Sequence, residues 1–373
     1  MKRYRKTWLL SNDLGKTVTE PNPFEMTSTL VAIPSVSFEE AAIVDFLHER
    51  LDKVPWLETT RIGDNLIART QMGKDQRLLL GGHTDTVPAN NNLEARLEGE
   101  TLWGLGSADM KGGLAVMLSL AESISSPAFD MTYLFYAREE VAAEYSGLKD
   151  IVAESPELLN ADLALLGEPT SGTVEAGCQG TMRFLLELKG QRAHTARPWM
   201  GVNAIHRLDK ALEVLNDYEE RKPVIEGCEY REALQAVRIE GGVAGNVVPD
   251  KVTLTFNHRV APDRDLEEAE IFVRSIFSPI LTSDDELKLV DAAPPAKPGL
   301  SNPMLASMIG KHDLQVRAKL GWTDVAFFDQ RGIPAANFGP GDATLAHTQE
   351  ERITKPAVDS CYLVLKSLIE NGL

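Results

Sequence analysis

The chain has 373 residues, more than one hydrophobic core usually supports, so two domains are expected. Its formal net charge of -17 argues against partners that need a basic surface, namely nucleic acid and anionic membrane. No run approaches the ~18 apolar residues of a membrane span, and the odd, widely spaced Cys178, Cys228 and Cys361 read as reduced thiols of a cytoplasmic protein.

Residues 1 to about 22 read as a loosely held arm ending in EPNP. Its basic start is followed only by Trp8, Leu9 and Leu10, too short an apolar core for an export signal. Apolar residues at helical spacing then mark FEMTSTLVAI and FEEAAIVDFLHERL, separated by PSVS, where Ser37 is placed to cap the second helix. Segments 66–70 and 78–80 read as strands. The second, Leu78 to Leu80, is ended by Gly81 and Gly82 and delivers His83 to a loop. Asp85, two positions further along extended backbone, lies on the side of His83, where a carboxylate can fix the tautomer of a metal-binding imidazole. SADMKGG sets Asp109 before a long apolar helix pattern, LAVMLSLAESI. MTYLFYAREE is a strand pattern ending in Glu139 and Glu140, and ADLALLGEPT is another ending in Glu168. Strands alternating with helices predict an α/β fold with a mostly parallel sheet and helices on both faces, whose ligands gather at the carboxyl ends of the strands.

After Gly180 the pattern changes. TMRFLLELKG, VNAIHRLDKALEVLNDYEE, ALQAVRIEGG, KVTLTFNHRV, DLEEAEIFVRSIF and ELKLVDAA read as strand, helix, strand, strand, helix, strand. That split βαβ order predicts one antiparallel sheet with helices on one face, an inserted ferredoxin-like α+β lid over 181–292. The Pro-rich AAPPAKPG returns the chain, so that 1–180 and 293–373 form one metal-binding domain, and DATLAHTQEE supplies His347.

His83, Asp109, Glu140, Glu168 and His347 are thus collected near strand ends. Two imidazoles and three carboxylates suit two divalent ions, with Asp109 bridging and each ion taking one His and one Glu. Nitrogen and oxygen donors without thiolate favour Zn2+, with Co2+ or Mn2+ as substitutes.

HTDT, GLGSADMKGG, the EE pair, GEPT, the AH of GQRAHTARPWMGVNA and the final AH together resemble the M20 family of dizinc peptidases and deacylases. The resemblance covers nearly the whole chain after about residue 24. ALLGEPTSG, EAGCQG, GWTDVAFF and NFGPGDATLAH look most like the actinobacterial branch of succinyl-diaminopimelate desuccinylases. The resemblance implies a homodimer joined through the lid, acting in lysine and diaminopimelate biosynthesis on a small N-acylated amino acid. It implies the five metal ligands named above, Asp85 as the carboxylate behind His83, and Glu139 as general base for a metal-bridging water. Adjacent residues at a strand end point different ways, so Glu140 can bind metal while Glu139 faces the water. The alternative for Glu139 is a charge paired with Arg138 or Lys111. The resemblance further implies that His194 reaches the partner subunit's site and holds the oxyanion. Asn246 and Arg259 would bind substrate carboxylate, and Thr323, Gly339, Pro340 and Gly341 would border the acyl and amino-acid groups. One departure is Phe327, which stands where desuccinylase loops carry Arg. It moves the expected preference towards shorter or apolar acyl groups, unless Arg331 or Arg197 reaches in. The rival activities are an N-acetyl-amino-acid (acetylornithine-like) deacylase and a carboxypeptidase or dipeptidase. A catalytically silent binding protein on the same fold is the remote alternative.

Overall fold

The computed structural model describes residues 21–373, so the arm expected over residues 1 to about 22 lies almost wholly outside the described residues. Successive residues of a strand face opposite ways, and the central strand Arg77–His83 is apolar on both sides. Leu78 and Leu80 pack with the helices Pro23–Val31, Ala41–Leu51, Gly112–Ser123 and Lys355–Asn371. Leu79 faces the other way, towards Leu148 and Ile151 of one helix and Val325 and Phe328 of another. Burial on both faces is what a parallel strand needs.

Four strands run parallel at the centre of an eight-stranded sheet, in the order Asp130–Tyr136, Arg77–His83, Leu163–Leu166 and Ala335–Asn337. Asn65–Arg69 and Glu58–Ile62 add antiparallel on one side, and Val174–Ala176 and Val316–Ala318 complete the other. Because the central strands end together, His83 and the segments carrying Glu139, Glu140 and Glu168 emerge at one edge.

The second sheet has the order Ala233–Gly241, Lys251–Val260, Gly180–Lys189, Glu286–Ala293, antiparallel throughout. The helices Leu208–Asn216 and Leu266–Phe277 cover one face, burying Met182, Phe184, Leu186 and Leu188. A capping box between Asp265 and Glu268 starts the second helix.

Several features differ from the sequence reading. Ser37 does not cap the helix that starts at Ala41, which has no side-chain cap. Its hydroxyl instead donates to Asp85 Oδ2 at 2.8 Å. Residues 96–98 and 101–103, for which the sequence predicts no element, form a hairpin that Arg352–Thr354 extends to three strands. In keeping with the sequence reading, all three cysteines are free, and they are buried. Among the described residues no helix is long and apolar enough to cross a membrane.

Candidate metal centre

The apolar strand Arg77–His83 carries His83 into the edge where the sheet opens, and the imidazole is 1% exposed. His83 Nδ1 lies 3.0 Å from the Asp85 carbonyl and 3.5 Å from its carboxylate, which puts the ring proton on Nδ1 and leaves Nε2 as the donor towards a metal. Asp85 is itself held from three directions. It accepts from the backbone N–H of Glu139 at 3.0 Å and of Glu140 at 3.1 Å, and from Ser37. One buried carboxylate therefore orients the imidazole and pins the turn that presents both glutamates. Burial alone would raise the Asp85 pKa, but these contacts and His83 hold it below the usual carboxylate range.

Asp109 leaves helical geometry, with φ -122° and ψ 95°, just before the helix Gly112–Ser123 begins. Its Oδ1 is 3.2 Å from His83 Nε2 and its Oδ2 is 3.6 Å from His347 Nε2. Against its burial, these two histidines keep the Asp109 carboxyl ionised well below its usual pKa. His347 sits at φ +61°, sparsely populated for a non-glycine residue, and its Nε2 is 2.8 Å from Glu140 Oε1. The Asp109 contact raises its pKa to about 9, with Glu140 adding to the effect against partial burial.

Three groups of potential ligands result: His83, Asp109 and Glu168; Asp109, Glu140 and His347; and His83, Glu139 and Glu140. Within each, the donor atoms lie within 4.8 Å of one another. Asp109 is shared by the first two. Glu168 Oε1 is buried without a hydrogen-bond partner, 4.0 Å from His83 Nε2. Burial, and then the nearby Asp109, push the Glu168 carboxyl up to about 7.

Glu139 keeps some surface towards the cleft it lines, yet protein surrounds the rest of its carboxyl. That burial pushes its pKa well above the usual range, Glu168, Asp324 and Glu140 adding to the effect against His83. It is paired with neither alternative cation. Arg138, at φ +63°, pairs with Asp150, and the Lys111 ammonium donates to the Ile33 carbonyl at 2.7 Å.

The remaining expected residues divide. Arg259 is half-buried on a lid strand opposite Thr181, which lines the cleft. Burial and Arg183 lower its pKa. His194 and Asn246 are exposed on the lid, joined by a bridge from His194 to Val247 and by the Thr195 N–H donating to the Asn246 carbonyl. Neither lines their own chain's cleft. The Thr323 hydroxyl is engaged with the side chain of Asn337. A Cβ at Gly339 would lie 2.4 Å from the Glu168 carbonyl, and one at Gly341 2.2 Å from the Ala108 carbonyl. That turn clamps the backbone of the segments carrying Glu168 and Asp109 and requires glycine to do so. Phe327 packs in the core beside Phe328, with the Arg331 guanidinium 3.5 Å over its ring.

Two residues with strong local roles were not singled out from the sequence. Glu351 is 1% exposed and accepts from the N–H groups of Gly106, Ala108 and Asp109, each at 3.0 Å, fixing the loop that aims Asp109. Burial pushes its carboxyl up to about 7, against those hydrogen bonds. Asp324, pushed up to about 6 by burial, lines the cleft with Glu139 and Glu140. The acid in QEE after AH, and the one in GWTD, were the available signals.

The cleft encloses about 600 Å³ between the acid cluster and the lid strands. A mostly parallel sheet with histidine and carboxylate donors gathered at one edge, beside a ferredoxin-like insert, is the architecture of a metal-dependent peptidase or deacylase. The chain belongs to Peptidase family M20/M25/M40, which it matches over residues 79–371. It is 47% identical over 333 residues to the putative succinyl-diaminopimelate desuccinylase of Mycobacterium tuberculosis, covering 89% of this chain and 93% of that one. It is 40% identical over 354 residues to the succinyl-diaminopimelate desuccinylase of Corynebacterium glutamicum, covering 93% and 96%. Its fold is that of a tripeptidase from Staphylococcus aureus, with a TM-score of 0.77, 22% identity, and 94% and 98% of the two chains covered.

Proposed function

We propose that the protein removes the succinyl group from N-succinyl-LL-2,6-diaminopimelate by metal-dependent amide hydrolysis, giving succinate and diaminopimelate. The observation that carries this reading is Asp109, shared by two three-donor groups, with the unpaired Glu139 beside them. The names of the relatives from Mycobacterium and Corynebacterium support the substrate.

The donor set fits two divalent ions held by His83, Asp109 and Glu168 and by Asp109, Glu140 and His347, and its chemistry suits Zn2+, with Co2+ or Mn2+ as substitutes. The unpartnered Glu168 Oε1 is an orphan that a cation would satisfy. When bound, such a pair of ions activates water as the nucleophile and polarises the scissile carbonyl. Glu139, whose basicity burial raises, is placed to take the proton from the nucleophilic water. As the C–N bond breaks and hydroxyl adds to the acyl carbon, Glu139 returns the proton to the leaving amine. Asp85 keeps His83 in the tautomer that offers Nε2.

The protein acts as a cytoplasmic homodimer joined through the lid, with His194 and Asn246 serving the partner's site. Their exposure on the lid, outside the lining of their own chain's cleft, supports this arrangement. Arg259 anchors a substrate carboxylate. Mixing Glu139→Gln chains with His194→Ala chains then regenerates one intact site per mixed dimer, and no recovery after verified subunit exchange would refute the shared site.

The reading as a whole is tested with N-succinyl, N-acetyl and dipeptide substrates of diaminopimelate, ornithine and neutral amino acids, following the released amine. The highest kcat/KM is expected for N-succinyl-diaminopimelate. A preference for acetylornithine or a dipeptide would overturn it.

A further inference from the structure

The lid strand Gly180–Lys189 alternates between its two faces. Met182 and Phe184 go under the lid helices, and Thr181 and Arg183 go to the opposite side, where they line the cleft with Glu139, Glu140 and Asp324. Its neighbour Glu286–Ala293 pairs Lys288 with Leu185 and Leu289 with Phe184. In unbroken register the next pairs would be Val290 with Arg183 and Asp291 with Met182, turning Asp291 towards the buried side. A bulge between Leu289 and Asp291 intervenes, and Asp291 pairs with Arg183 instead. A one-residue offset moves a side chain to the other face, so the bulge brings the Asp291 carboxylate to the cleft.

Arg183 Nη2 and Asp291 Oδ2 are 3.5 Å apart, and the side chains are 53% and 54% exposed. An exposed pair at that distance adds little to stability, so stability does not explain a strand interrupted to make it. Arg183 is also the one cation lining the cleft among the described residues, against the acids Glu139, Glu140, Asp291 and Asp324.

We infer that Arg183 and Asp291 read the free amino-acid end of the substrate, the guanidinium taking its α-carboxylate and the Asp291 carboxylate its α-ammonium. The assignment rests on the desuccinylase reading. N-succinyl-diaminopimelate carries, at the end away from the scissile amide, a single carbon bearing both a carboxylate and an ammonium group. A cation and an anion side by side, both still accessible, are the complement of that head group. The Phe327 loop offers no competing cation, because Arg331 stacks on Phe327 and donates to its carbonyl at 2.9 Å.

The test is kcat/KM for wild type, Arg183→Gln and Asp291→Asn on four N-succinyl substrates. These are the derivatives of diaminopimelate, of 2-aminopimelate, which lacks the distal ammonium, of lysine, which lacks the distal carboxylate, and of norleucine, which lacks both. Arg183→Gln should cost about 10- to 100-fold on the first two and no more than about twofold on the others, as expected for loss of one charge-assisted hydrogen bond. Asp291→Asn should cost about tenfold on the diaminopimelate and lysine derivatives alone. Equal losses on all four substrates would overturn the assignment and leave the desuccinylase reading standing. So would a loss that follows the acyl carboxylate when succinyl is replaced by butyryl. Failure of the wild type to hydrolyse any of the four would overturn both.

Discussion

Two buried glutamates in this chain are treated in opposite ways. Glu232, in the lid, receives Arg221 at 2.9 Å, Arg264 at 2.6 Å, Tyr218 at 3.1 Å and the Ala261 N–H at 3.1 Å. Glu168, at the edge of the main sheet, has one oxygen with no partner and Asp109 as a neighbour. In the lid, protein donors satisfy the buried Glu232. Around His83 the acids outnumber the donors, so that arrangement is complete only with cations from outside. Burial alone does not separate the two, since both acids are buried; the open oxygen of Glu168 does.

The strongest way to break this comparison is through Glu139. Glu139→Gln should retain both ions, measured by metal analysis of the purified protein, while kcat falls by about 10²-fold or more. Loss of an ion with little change in rate per occupied site would instead make Glu139 a ligand.

The comparison sharpens in metal-free protein, where the two glutamates should respond with opposite signs. Glu232→Ala leaves Arg264 and Arg221 without their shared anion. Chemical denaturation should show a loss of about 2–3 kcal/mol, moderated because Arg221 remains a third exposed. Glu168→Gln, measured well above pH 7 where Glu168 is ionised, removes like-charge repulsion and should raise Tm by about 1–2 °C. A destabilising Glu168→Gln would mean that the acid cluster is satisfied without metal.

A smaller effect concerns Asp285, another lid acid with protein donors. Burial opposes ionisation, but Arg207 and the N–H groups of Lys189 and Thr282 hold its pKa below the ordinary 3.8. A depressed folded-state pKa contributes stability that is present above 3.8 and is lost as pH falls through the lower folded value. Wild type should therefore lose stability in that acid range more steeply than Asp285→Asn, as read by denaturant midpoints. Parallel pH profiles would exclude the contribution.

What was legible in the sequence were the parts set by short spacing. His83 and Asp85 are two residues apart, the apolar runs before Glu139 and Glu168 announce strands, and the lid's six elements follow one another in chain order. What was not legible depended on distant partners. Ser37 looks like a helix cap because nothing nearby competes for its hydroxyl, yet its acceptor lies 48 residues away. Glu351 stabilises backbone amides more than 240 residues earlier, and no local pattern links them. The Arg183–Asp291 pairing needs a bulge that the alternating pattern of ELKLVDAA does not reveal. Phe327 was read from its place in a motif, whereas its packing against Phe328 and Arg331 depends on the surrounding core.

Glu351 has a consequence for how the protein comes into being. Asp109, the donor shared by two of the ligand groups, is aimed by a carboxylate synthesised 242 residues after it, and His347 arrives only just before that carboxylate. The strands bearing His83, Glu140 and Glu168 leave the ribosome much earlier and can begin to pack as they emerge. The nascent chain thus holds most of its acids and one imidazole in place while the loop of Asp109 is still unanchored. Completion of the centre therefore waits until the chain has been synthesised through Glu351.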